Sequence, residues 1–94
     1  MNVLIIDTIY KKISITLINT LTKIAKHITI PLKSIEDYIF LLSEKIHNEV
    51  DIILLDLTGY GLYIKDLLIN KLDREDYNKI IDYKNISWRI NDEI

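Results

Sequence analysis

The sequence predicts a single α/β domain, residues 1–94, built on a mixed sheet with an N-terminal antiparallel meander and a parallel strand returning beside strand one. Three observations lead there. Residues 2–9 and 51–57 are short apolar runs that each carry an aspartate near the end, Asp7 and Asp56. Residues 11–30 are dense in Ile and Thr. Residues 34–47 carry an apolar stripe at helical spacing.

Val3, Leu4, Ile5 and Ile6 precede Asp7 in a run so short and so apolar that it reads as a strand covered on both faces. The next segment has two readings. At a helical period, Ile13, Leu17, Leu21, Ile24 and Ile28 form a stripe. At a strand period, Ile13, Ile15 and Leu17 oppose Lys12, Ser14 and Thr16, the chain turns at residues 19–22, and residues 24–30 form a second strand. Ten of the twenty residues from 11 to 30 are Ile or Thr, which lose side-chain freedom in a helix and pack well on a sheet. The composition leans to the hairpin, residues 12–18 against 24–30, and leaves the helix open.

Ser34 stands where a helix N-cap belongs, with Asp37 three residues on. Ile35, Ile39, Leu42 and Ile46 make the buried stripe, acids come early, and Lys45 and His47 come late, as the helix dipole favours. Asp51–Leu57, with Ile52, Ile53, Leu54 and Leu55 flanked by Asp51 and Asp56, forms the second apolar strand, with Leu54 expected to be fully buried at its centre. Thr58-Gly59-Tyr60-Gly61 is a corner, and Ile64, Leu67, Leu68 and Leu72 mark a second amphipathic helix. Asp73 and Asp76 open a short helix reaching about residue 84, and residues 86–90 alternate as a closing strand.

Composition removes several function classes. There is no cysteine, hence no disulfide, thiolate nucleophile or Cys-based zinc site. Twelve basic and fourteen acidic residues give a net charge of −2, which disfavours polyanion binding through a general positive surface but permits a local grip through metal ions. No signal-peptide pattern and no long apolar stretch is present, so no membrane partner and a cytoplasmic location are expected. P-loop, HExxH and GxSxG patterns are missing. His27 and His47 read as surface residues, Trp88 as core with Arg89 outside, and Lys11 with Lys12 as a hairpin turn too small for a basic footprint.

Asp7 and Asp56 stand out. Two carboxylates at the ends of adjacent parallel strands repel, unless Mg²⁺ or Mn²⁺ lies between them. The plain alternative is that each caps the following loop.

With the hairpin, the order of elements resembles the core of the ribonuclease-H-like fold, over residues 2–72. That fold is seen in ribonucleases H, Holliday-junction resolvases and the nuclease domains of phage large terminases. The local match Ile53-Leu54-Leu55-Asp56-Leu57-Thr58-Gly59-Tyr60-Gly61, continuing to Leu67, is similar to the aspartate, glycine corner and helix of the terminase nuclease. The resemblance implies divalent-metal-dependent phosphodiester hydrolysis of a nucleic acid. Asp7 and Asp56 would be catalytic metal ligands, Gly59 and Gly61 the corner or a phosphate contact, and Asp92 the late third ligand, ahead of Glu93 or Asp82. With the helix reading, the chain instead resembles a response-regulator receiver with Asp56 as phosphoacceptor, though Thr8 replaces an expected acid. A missing ligand would leave a non-catalytic module, a degenerate nuclease or pseudo-receiver. Such a module would dock on a larger protein, as a viral or plasmid-encoded modulator does. The 49% apolar content would also serve a homodimer.

Overall fold

The computed structural model describes residues 1–57 and 60–82. Strand β1 (Asn2–Ile9) turns through Tyr10 and Lys11 into β2 (Lys12–Asn19), and the two pair antiparallel with Leu4 opposite Leu17 and Ile6 opposite Ile15. Strand β3 (Ala25–Pro31) pairs antiparallel with β2. The β-branched density of this interval therefore wins over its helical stripe, and the helix that the receiver-like arrangement needs there is not formed. Asn19 shapes the second turn: its side-chain oxygen accepts the N–H groups of Leu21 at 3.0 Å and Thr22 at 2.9 Å. Each turn also holds one residue in the left-handed region, Tyr10 at φ 59° and Lys23 at φ 61°.

A short 3-10 turn, Leu32–Ser34, leads into helix α1 (Ile35–Glu49). Ser34 makes no side-chain cap, contrary to expectation. Its backbone is already helical, φ −94° and ψ −1°, because the 3-10 turn starts the winding before it. Ile35, Ile39, Leu42 and Ile46 are buried as the stripe requires. Strand β4 (Ile52–Leu55) then lies parallel to β1, with Leu4 beside Ile53 and Ile6 beside Leu55.

Helix α2 (Gly61–Ile69) follows, then one turn of helix α3 (Arg74–Tyr77). Asp73 caps α3 by accepting the Asp76 N–H at 2.8 Å. The expected continuation to residue 84 does not occur. Ile80 and Ile81 instead start strand β5 (Ile80–Asp82), parallel to β4 with Ile80 beside Ile53. The closing strand predicted at residues 86–90, with Trp88, lies outside the described residues.

The sheet order is β3-β2-β1-β4-β5. Leu4, Ile6, Ile13, Ile15, Ile53 and Leu55 share one face by register and form one core with the buried residues of α1 and α2. Two crossovers of the same hand, stepping in the same direction across the sheet, put both helices on that face. Strands β1 and β4 accordingly alternate, rather than being covered on both sides. Ile53 and Leu55 are fully buried, whereas Leu54 points to the opposite face and is half-buried, which corrects its expected place. Among the described residues, no helix is long and apolar enough to cross a membrane.

Candidate functional site at the carboxyl ends of β1 and β4

Ligands of open α/β sheets gather at the carboxyl ends of the parallel strands. Ile6 beside Leu55 is the last register pair shared by β1 and β4. Asp7 and Asp56 follow it directly, one along β1 and one just past β4, and both are half-buried. Strand alternation turns Asp7 away from the helices, since its neighbour Ile6 faces the core. One Asp7 carboxylate oxygen accepts the N–H of Thr8, the next residue of β1, at 2.9 Å.

Gly61 has a firm steric reason. A methyl group placed on its Cα would run into the main-chain oxygen of Asp56, so only glycine lets the start of α2 press against that residue. Gly59 lies outside the described residues, as do Asp92 and Glu93. Asp82 ends β5 in register with Leu55, one strand beyond β4.

Beside Asp7, its cross-strand partner Ser14 begins a polar patch on the same face. His27 is not isolated there. Its Nδ1 lies 2.8 Å from Thr16 Oγ1 and 3.5 Å from Ser14 Oγ, and its Nε2 lies 3.1 Å from Thr29 Oγ1. Cross-strand register brings these partners together, which linear spacing does not show.

A second cluster was not expected. His47 in the last turn of α1 meets Asp73 and Asp76 around α3, and one ligand atom from each lies within 4.8 Å of the others. A histidine nitrogen with two carboxylates can chelate a divalent cation. His47 and Asp73 are exposed, and Asp76 is buried. Asp76 is also firmly engaged by protein groups: His47 Nδ1 at 2.8 Å, Lys79 Nζ at 2.6 Å and its own Asp73 cap. A cation entering here must compete with the Lys79 ammonium. Burial alone pushes the Asp76 carboxyl up, but hydrogen bonds from Lys79 and His47, reinforced by their charges, outweigh it and hold the carboxyl below its usual value. The same Asp76 hydrogen bond and charge raise His47 above the ordinary imidazole value. The only sequence signal was the Asp73-x-x-Asp76 spacing of a helix cap; the histidine comes from a different element, 29 residues from Asp76.

No family model matches the chain, and neither a curated protein nor a solved structure matches it.

Proposed function

We propose that this chain is a reduced ribonuclease-H-like domain that hydrolyses phosphodiester bonds with a divalent cation held by Asp7 and Asp56. One observation carries the reading. In the order β3-β2-β1-β4-β5, with β2 antiparallel and β4 parallel to β1, the two aspartates directly follow the last register pair of neighbouring strands. Carboxylate oxygens are hard donors that suit Mg²⁺ or Mn²⁺. Bound there, such a cation supplies Lewis-acid polarisation of the phosphoryl group. The chain's own part is to carry the two carboxylates, one near the end of β1 and one just past β4, with Gly61 packing α2 against the main chain of Asp56.

The test is a thermal-shift titration with Mn²⁺ of the wild type, Asp7→Asn, Asp56→Asn and His47→Gln, with cleavage assays on single- and double-stranded substrates. Stabilisation lost in both Asp variants but kept in His47→Gln, together with loss of cleavage, supports the nuclease. Stabilisation lost only in His47→Gln assigns the metal to the α1–α3 cluster and removes the nuclease reading. A second reading, a non-catalytic interaction module, draws on the large apolar residues left exposed on the helices, Phe40 and Leu41 of α1 and Leu62 of α2. It predicts a folded protein that cuts neither substrate at any Mn²⁺ concentration.

A further inference from the structure

A pocket of about 540 Å³ opens where the β1–β2 turn, the end of β3, the following 3-10 turn and the start of α2 meet. Its lining is Lys11, Pro31, Leu32, Lys33, Tyr60 and Tyr63. The volume is in the range that holds a small-molecule ligand. Three connections fix the site. The Leu32 N–H donates to Lys11 O at 2.8 Å, Lys12 stands opposite Pro31 in the β2–β3 register, and the Tyr63 hydroxyl donates to Glu36 Oε1 at 2.5 Å. Lys11, Lys12 and Lys33 are thus gathered at the end of the sheet where β1 finishes, and the tyrosine ring is tied to α1.

The charges there are unbalanced. Residues 1–33 contain five lysines and a single acid, Asp7, whereas residues 34–94 contain seven basic and thirteen acidic residues. The net charge of −2 therefore conceals a basic meander joined to an acidic remainder. Among the described residues, neither Lys11 nor Lys33 pairs with a carboxylate, unlike Lys45 and Lys79. Lys11 instead lies 5.8 Å from the centre of the Tyr10 ring. Unpaired ammonium groups beside aromatic rings are the combination that grips single-stranded nucleic acid, phosphates on the cations and bases on the rings.

We infer that the pocket of Lys11, Lys33, Tyr60 and Tyr63 binds one nucleotide unit of a single-stranded nucleic acid. Lys11 and Lys33 hold its phosphate, and the rings of Tyr60, just before α2, and Tyr63, in its first turn, receive its base. The choice of polyanion rests on the nuclease reading, and the pocket lies at the strand end that carries Asp7.

The experiment is fluorescence anisotropy of a short fluorescein-labelled oligothymidine in EDTA, where binding is read without cleavage. The wild type is expected to bind with a strong salt dependence. Lys11→Gln with Lys33→Gln should weaken binding about tenfold or more and reduce the log–log salt slope by about 0.7 for each lysine removed. Tyr60→Ala should weaken binding about fivefold to a hundredfold, with Tyr60→Phe near wild type. Lys23→Gln with Lys26→Gln, which lies outside the pocket lining, should leave the pocket-dependent losses intact. Circular dichroism establishes that each variant is folded. Absence of wild-type binding overturns the inference. So does equal loss from the Lys23/Lys26 pair, or competition by polyglutamate as strong as by unlabelled oligothymidine. Binding as expected with no cleavage in Mn²⁺ keeps the pocket and removes the nuclease. Cleavage that needs Asp7 and Asp56, with binding unmoved by the pocket variants, does the reverse.

Discussion

Asp76 is 4% exposed, and two cations sharing its carboxylate make its burial tolerable. Both partners retain contact with water, so removing the acid does not strand a fully buried charge. Asp76→Ala should cost roughly 2–3 kcal/mol, the value of charge-assisted hydrogen bonds, by urea denaturation. The pH dependence follows from the two opposite shifts. His47 is raised, so its contribution is complete below the ordinary 6.5 and is lost as pH climbs through its folded value. Asp76 is lowered, so its contribution is present above 3.8 and is lost as pH falls through its depressed value. The stability gap between wild type and His47→Gln should therefore be widest between those two ordinary values, and close as pH climbs through the raised His47 value or falls through the depressed Asp76 value. A gap that stays constant from about pH 6 to about pH 8 would remove His47 from the network. Gly61 supplies a sharper sign test. In an open helix, Gly→Ala stabilises by up to about 1 kcal/mol. Here the added methyl meets the Asp56 main chain, and Gly61→Ala should destabilise by roughly 1–3 kcal/mol.

At the scale of elements, β4 separates two kinds of leucine. Leu55 faces the helices at 0% exposure, and Leu55→Ala should cost about 2–5 kcal/mol through lost transfer energy and a cavity. Leu54, on the other face and half-buried, should cost about 1–2 kcal/mol when truncated. Equal costs in a denaturation series would mean that both faces are sealed. The turns have a reserve of the opposite kind. Lys23 sits at φ 61°, where a side chain is strained by about 1–2 kcal/mol, so Lys23→Gly should leave stability unchanged or raise it, despite the extra freedom of the unfolded chain. A clear loss would show that the Lys23 side chain makes a contact that outweighs the strain.

At the scale of the whole molecule, charge and topology work together. The helices lie on one face of the sheet, and the three-stranded meander carries almost no acid of its own. Lys11, Lys12 and Lys33 gather at a strand end because the β1–β2 turn and the end of β3 are neighbours across β2. A protein with a net charge of −2 can therefore present a local cationic pocket, and the field a phosphate meets is set by the nearest charges rather than their sum.

Much of this molecule was legible in its residues. The apolar runs ending in Asp7 and Asp56, the α1 stripe and the hairpin all follow from local periodicity and β-branching, which act over a few residues. The two-sided burial of Leu54 and the cap at Ser34 were misread for one reason. Both depend on what lies beyond the segment, namely the face on which the crossovers pack and the turn that precedes the helix. The side-chain groupings were harder still. His47 with Asp76, His27 with Thr16, and Lys33 with Lys11 join residues from different elements, and no periodicity encodes such a meeting. The sequence by itself determined β1, α1, β4 and α2 and leaned to the β2–β3 hairpin with the parallel return beside β1, but not the short α3 or β5, because apolar spacing and backbone preference are local quantities. Only the tertiary structure decided which carboxylates, imidazoles and ammonium groups share a site, because proximity across elements depends on strand register and crossover hand.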